Sequence, residues 1–285
     1  MNPLPANSYR PHLAVDLEAL ARNYQVVRRF SSAEAGAVIK ADAYGAGIEA
    51  VVSRLVKEGC RSFFVAFVHE AERARVVAPD ADVYVMSPVP EIDFDALIAS
   101  GLIPCLYDLE GVRQWLARCR AAGAPPRTAL HFETGINRLG LPVGAAAELA
   151  RGKASFAGLE PKLVMGHLAN GDDPASNRNV RQLREFQAVR EYFPSARASL
   201  SNSAGVFLGR DFHFDLLRPG VCLFGHDPHH RQGRQRVQPV LSLRAVMAQI
   251  RVLSRGDAVG YGAGFVCKTR TRTGVVLAGY ADGVP

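Results

Sequence analysis

Ala37-Val38-Ile39-Lys40-Ala41-Asp42-Ala43-Tyr44-Gly45-Ala46-Gly47 is an apolar run that ends in a lysine, with a tyrosine and two glycines close behind. The run reads as the end of a buried strand, Ala35 to Lys40. An ammonium carried inward costs on the order of several kcal/mol unless it is paired, neutralised or chemically used. The use of lysine elsewhere sharpens the point. Lysine occurs at 40, 57, 153, 162 and 268, so 34 − 5 leaves twenty-nine arginines among the cationic residues. A position that needed only positive charge could have been arginine. Lys40 therefore stands where a primary amine is wanted, and the chemistry special to that group is imine formation with an aldehyde or ketone. A strand-end lysine snorkelling to solvent fits the stretch equally well by itself.

Outward from this stretch, short apolar strands alternate with helices. Strands are expected at Leu13–Val15, Ala35–Lys40, Phe63–Phe67, Val83–Met86, Ile103–Leu106, Thr128–Phe132, Leu159–Gly166, Ala198–Ser201 and Leu216–Arg218. Helices are expected at Leu17–Arg29, capped by Asp16, and at Ile48–Glu58, Glu70–Val77, Asp95–Ala99, Leu109–Ala122 and Asn179–Phe193. Apolar strands separated by helices imply parallel pairing. About eight such units in roughly 200 residues is the beat of a (β/α)8 TIM-type barrel. After Gly225 the texture changes: His226-Asp227-Pro228-His229-His230-Arg231-Gln232-Gly233-Arg234 lacks apolar periodicity and reads as a solvated linker. From Val237 the pattern is all-β, with alternation over Leu241–Val252, a turn at Gly256-Asp257 and a strand at Val275–Ala278. The expected organisation is an α/β barrel over 1–225, a linker over 226–236 and a partial all-β C-terminal domain over 237–285.

Composition narrows the function classes. At 285 residues, 48% hydrophobic and 21% charged, the chain has the make-up of a soluble globular protein. The net charge of +7 is dispersed, with no basic run, which argues against a nucleic-acid footprint. Cys60, Cys105, Cys119, Cys222 and Cys267 form no CxxC pair, so neither a disulfide framework nor a zinc knuckle is expected. His69-Glu70-Ala71-Glu72-Arg73 lacks the second histidine of a zinc helix, and no metal is expected. The first ten residues carry no apolar leader core, and the simplest expectation is a cytoplasmic protein with no membrane partner.

Barrels of this type gather functional groups at the C-terminal ends of their strands. Lys40, Glu133, Arg138, His167, Asn202, Ser203 and Arg218 all end or follow expected strands. Several lie in motifs that occur in a fixed order. These are Ala37 to Gly47, Glu133-Thr134-Gly135-Ile136-Asn137-Arg138-Leu139-Gly140, Ser201-Asn202-Ser203-Ala204-Gly205 and Arg218-Pro219-Gly220-Val221. Gly260-Tyr261-Gly262-Ala263-Gly264-Phe265 and Gly279-Tyr280-Ala281-Asp282-Gly283 follow. Together they closely resemble the pyridoxal-phosphate-dependent alanine racemases of fold type III, from about Arg10 to the last residue.

The resemblance implies a division of labour. Lys40 would hold pyridoxal 5'-phosphate as an internal Schiff base and act as a base on one face of the substrate α-carbon. Tyr261, supplied by the second subunit of a homodimer, would be the base on the other face, since one base tends to return a proton to the side it left. Arg218 would face the pyridine nitrogen and discourage its protonation. Tyr44, Ser203 and the amides of Gly220 and Val221 would bind the phosphate, with Asn202 beside them. Arg138 would grip the substrate carboxylate, and His167 would relay hydrogen bonds between Arg218 and Tyr261. Without the family, each has a plainer role: Ser203 as a helix N-cap, Arg218 paired with an acid, Arg138 on a surface loop, His167 in the core, and Tyr261 packed on a strand.

Three departures from the family pattern stand out. His131 occupies a position where members often have a lysine, in some modified to a carbamate that orients the carboxylate-binding arginine. Asp42 replaces the usual asparagine beside the cofactor lysine. Members also continue beyond residue 285, so the resemblance implies a C-terminally truncated form. The implied activity is interconversion of L- and D-alanine, with D-alanine destined for cell-wall peptidoglycan. The rivals are an impaired racemase, a non-catalytic PLP-binding barrel, whose resemblance would stop at the barrel, and a decarboxylase of basic amino acids, which would want a catalytic cysteine late in the β-domain.

Overall fold

The computed structural model describes residues 9–284 except 153, 231, 232 and 234, so Arg231, Gln232 and Arg234 of the expected linker lie outside the described residues. The chain divides into two compact units, Asp16–Val240 and a second made of Met1–Val15 with Leu241–Pro285.

Eight parallel strands of the first unit form the barrel. They are Glu34–Ala35 continuing as Ala37–Val38, Ser62–Val65, Asp82–Val85, Ile103–Leu106, Ala129–Glu133, Leu163–Met165, Arg197–Ser199 and Leu216–Leu217. Each of the first six pairs in parallel with the next, and the short strand Leu141–Pro142 pairs in parallel beside Ala129–Glu133. Leu216–Leu217 closes the ring. It pairs with Glu34–Ala35, and Gly36 and Val38 donate to the carbonyls of Leu217 and Pro219 at 3.0 and 2.8 Å. On its other side Asp215 N donates to Ala198 O at 3.0 Å and Arg218 N to Ser201 O at 2.9 Å. Between the two segments of the first strand, position 36 has to be glycine, because a Cβ there would lie 2.9 Å from Ser62 O and 3.2 Å from Leu217 O. The (β/α)8 expectation is met.

The strands read as unbroken apolar runs because both faces are covered. Val38, Phe64, Tyr84, Ile103, Cys105, Leu163, Met165 and Leu216 belong to one buried cluster that fills the barrel. Helices Leu17–Phe30, Ile48–Lys57, Val68–Val77, Leu109–Ala121 and Asn177–Tyr192 cover the outside. Asp16 caps the first through Ala19 N at 2.8 Å, as expected, and Asp108 caps the Leu109–Ala121 helix through Gly111 N at 2.7 Å.

The structure revises three expectations. The strand at Leu13–Val15, observed as His12–Val15, is not a barrel strand; it pairs antiparallel with Leu241–Arg244 in the second unit. A three-residue apolar run states that a strand forms and says nothing of its partner. The strand carrying the signature lysine ends at Val38, and Lys40 opens a separate turn with its side chain exposed. The stretch from 226 onward is also no solvated linker where it is described. Asp227 and His229 are buried, Asp227 accepts from the backbone of His229 and Arg236 at 2.9 and 2.8 Å, and His229 Nε2 donates to Gly171 O at 2.8 Å. Polar residues that satisfy one another leave no apolar period to read.

In the second unit, Met247–Leu253 pairs antiparallel with Thr271–Val276, and Ala258–Val259 with Phe265–Val266. The turn at Gly256-Asp257 is present, with Gly256 at φ 92° and Asp257 Oδ2 accepting from Ser254 N at 2.7 Å.

Candidate active site

A cavity of about 480 Å³ opens at the C-terminal ends of the barrel strands. Lys40, Tyr44, Arg138, His167 and Asn202 line it, as do Ser203, Arg218, Gly220 and Val221. A larger cleft, about 630 Å³, lies at the opposite end, around Pro125, Arg127, Pro161 and Lys162. Its cations are already spoken for: Asp82 binds Lys162 at 2.5 Å and Arg127 at 2.8 Å. The chemistry belongs to the smaller cavity.

Lys40 enters it on an unusual backbone. Ala41, Asp42, Ala43 and Tyr44 all have φ between 52° and 56°, a left-handed helical turn made without glycine. Ala43 N donates to Ile39 O, and Gly45 N to Ala41 O, both at 2.9 Å. Left-handed geometry costs roughly 1–2 kcal/mol per non-glycine residue, so the turn stores on the order of 4–8 kcal/mol that its surroundings must offset. Asp42 is among the residues that tolerate this region best, and its Oδ1 accepts from Ile48 N at 3.1 Å and pairs with Arg73 at 2.9 Å. An asparagine could accept from Ile48 too, but only the carboxylate gains the ion pair.

Arg218, 2% exposed, follows the Leu216–Leu217 strand. Its guanidinium donates to Ser199 O at 2.9 Å, to the Ser199 hydroxyl and to Gly166 O at 2.5 Å. All these acceptors are neutral, and among the described residues no carboxylate pairs with it, which removes the plain reading of a strand-end ion pair. Burial pushes its pKa down to about 10, which still leaves it cationic at neutral pH. His167 lies close to this charge. Burial first, and then Arg218, hold its pKa well below the ordinary value, so the imidazole is neutral. Asn202 Nδ2 sits 3.4 Å from His167 Nε2 and donates to Leu168 O at 3.1 Å.

Ser203 is not the helix cap. The short turn Gly205–Phe207 that follows has no side-chain cap, and Asn202 Oδ1 accepts from Ala204 N and Gly205 N just before it, both at 3.1 Å. Ser203 Oγ instead accepts from Gly220 N at 2.8 Å and Cys222 N at 3.3 Å, tying two strand-end loops together. A Cβ at Gly220 would overlap the Tyr44 hydroxyl and approach Val38 Cβ to 3.3 Å. Burial raises the Tyr44 pKa to about 12, so its hydroxyl remains a donor. A glycine-lined cradle, two hydroxyls and an unpaired buried cation suit an anionic, heteroaromatic ligand.

Arg138 is exposed on the loop after the Ala129–Glu133 strand. Glu133 shapes that loop by accepting from Gly135 N, Ile136 N and Arg138 N at 2.6, 2.7 and 3.1 Å. Burial works to raise its pKa, but the backbone N–H groups of the loop, Asn137 foremost, prevail and lower it. His131, two residues back, is buried, and among the described residues neither ring nitrogen has a hydrogen-bond partner. Burial, then the charges of Arg218 and Arg138, lower its pKa to about 3. A neutral imidazole cannot supply an anion to orient Arg138; the Glu133 loop holds that residue's backbone instead.

Sequence reasoning missed two residues here. Tyr107, directly after the Ile103–Leu106 strand, lines the cavity and donates its hydroxyl to Met86 O; its rim position was the available signal. Gln182 donates to His167 O at 2.9 Å and accepts from Ala169 N at 2.8 Å, a role with no sequence signature.

Comparisons with known proteins agree with this geometry. Residues 15–228 match the family model for the alanine racemase N-terminal domain, and residues 240–285 the alanine racemase C-terminal domain. The chain belongs to the alanine racemase family. The alanine racemase of Methylobacterium nodulans is 39% identical over 280 residues, covering 98% of this chain and 75% of the relative. The biosynthetic alanine racemase of Agrobacterium fabrum is 41% identical over 272 residues, covering 95% and 69%. The crystal structure of the Bartonella henselae alanine racemase with covalently bound pyridoxal phosphate superposes with a TM-score of 0.89 at 32% identity, covering 98% of this chain and 78% of that one.

For a member of this family, the match in the β-rich unit matters as much as the barrel, because a barrel-only PLP binder would lack it. Tyr261 lies in that unit, on the short turn Tyr261–Ala263. Its side chain is fully exposed, so it is not a packed strand tyrosine.

Proposed function

We propose that the chain interconverts L- and D-alanine with pyridoxal 5'-phosphate held on Lys40. The observation that carries this reading is one cavity shared by the Lys40 amine and a buried Arg218 without an acidic partner. When bound, the cofactor supplies an aldehyde for the amine and an electron sink for the substrate α-carbon.

The protein's own groups do the rest. Arg218 stays cationic at neutral pH and would face the ring nitrogen and discourage its protonation, which would limit the sink and with it side reactions. Tyr44, Ser203 and the Gly220–Val221 backbone, which line the cavity, would hold the phosphate. Arg138 binds the substrate carboxylate. Lys40 Nζ moves the proton on one face of the α-carbon, and the partner's Tyr261 on the other, in a homodimer whose subunits share their active sites. His167, neutral and next to Asn202, relays hydrogen bonds without changing charge.

D-alanine for peptidoglycan is the product this activity serves. Among the described residues, no helix is long and apolar enough to cross a membrane. The five cysteines are free and buried, which supports a reducing, cytoplasmic setting.

The test is borohydride reduction of the PLP-loaded protein followed by peptide mapping, with a coupled assay in both directions. Attachment to Lys40 and interconversion are expected. Lys40→Ala should abolish both, and Tyr261→Phe should abolish interconversion while leaving attachment intact. Attachment without turnover in the wild-type dimer would leave a silent PLP binder.

A further inference from the structure

We propose that Glu70 is a positioning residue for Lys40, clamping the left-handed turn that presents the amine. The proposal rests on the assignment of Lys40 as the cofactor lysine. Glu70 is the third residue of the Val68–Val77 helix and is 4% exposed. Its Oε2 accepts from Ala66 N at 2.8 Å and Phe67 N at 3.1 Å, while its Oε1 accepts from Asp42 N at 3.2 Å. Among the described residues no cation pairs with it. Three backbone N–H groups from two segments stabilise the buried carboxylate instead.

The two segments are the ones that matter for the cavity. Ala66 and Phe67 follow the second barrel strand, and Ala66 lines the cavity. Asp42 lies two residues after Lys40, inside the run of positive φ. A helix cap alone would need only the Ala66 and Phe67 bonds. The bond to Asp42 has no role in capping. It ties a strained turn on the first strand to the end of the second, and fixes where the Lys40 backbone leaves the barrel.

Arg73, three residues further along the same helix, reaches the side chain of the same residue, pairing with Asp42 at 2.9 Å. That pair is 41% and 49% exposed, so solvent screens it. The buried half of the grip belongs to Glu70.

The experiment compares Glu70→Gln, Glu70→Ala and Arg73→Ala in the full chain. It measures the rate at which apoprotein captures PLP on Lys40, trapped by borohydride and counted by mass. It also measures the reactivity of the Lys40 amine in the apoprotein by competitive acetylation, alongside thermal melting. Glu70→Gln keeps the size of the side chain but offers an amide N–H to one of the three donors. It should slow capture roughly tenfold or more and alter Lys40 acetylation relative to other lysines. Arg73→Ala should stay within about twofold of wild type.

A Glu70→Gln protein that melts lower yet captures PLP and acetylates like wild type would reduce Glu70 to a helix cap and overturn the proposal. Should Glu70→Ala fail to fold, the Gln variant decides alone. An adduct on another residue in wild type would instead sink the Lys40 assignment, a distinct result.

Discussion

Replacing His131 with leucine should remove an acid sensitivity that the barrel now carries. The imidazole is 3% exposed, neither ring nitrogen has a partner among the described residues, and its folded pKa is lowered from 6.5 to about 3 by burial, with the nearby arginines adding to the effect. Between those values the unfolded chain binds a proton that the native state refuses. Stability therefore rises with pH through this window and is lost on acidification below 6.5. From pH 7 to pH 5 the loss is about 1.5 pH units times 1.36 kcal/mol, or about 2 kcal/mol. His167 is shifted in the same direction, mainly by burial and Arg218, which both proteins keep, so most of its contribution drops out of the difference. Urea unfolding of wild type and His131→Leu at pH 7 and pH 5 measures the quantity. At pH 7 the variant should be at least as stable, because two unpartnered buried nitrogens are gone. On moving to pH 5 wild type should lose about 2 kcal/mol more than the variant. A difference under about 0.5 kcal/mol would mean that the imidazole is solvated or partnered, and the argument would fail.

Two further substitutions probe the cavity. Gly220→Ala drives a methyl into the Tyr44 hydroxyl and displaces a proposed phosphate donor, so PLP affinity should fall roughly tenfold or more, read by equilibrium titration of the apoprotein. Glu133→Ala leaves three loop N–H groups without their acceptor. It should raise the KM for alanine more than it lowers kcat, because the loop that carries Arg138 loosens while Lys40 is untouched.

How much was legible depended on which groups make the contact. The barrel strands were visible because packing on both faces demands apolar runs such as Ser62-Phe63-Phe64-Val65, all buried. The rim was visible because polar residues directly after such runs stand out, and the motifs around Lys40, Arg138, Ser203 and Arg218 lie there. Glu70, Gln182 and Glu133 act on backbone N–H and C=O groups, which every residue possesses, so nothing in the sequence announces their partners. The left-handed turn escaped notice for a similar reason. Ala41 and Ala43 carry no preference for positive φ, and only tertiary contacts hold them there. The segment from His226 carries no apolar signal because Asp227 and His229 are buried through hydrogen bonds and not through apolar surface.

By itself, then, the sequence determined the alternation of elements, the eight-fold barrel and the chemical types gathered on its rim, since these follow from local hydrophobic pattern and side-chain chemistry. The tertiary structure alone decided that His12–Val15 serves the second unit and that Arg218 lies buried without an acidic partner. It also decided that the signature lysine leaves its strand on a strained turn held by a neighbouring helix. Those outcomes rest on backbone geometry and on contacts between residues far apart in the chain, and a one-dimensional pattern does not encode either.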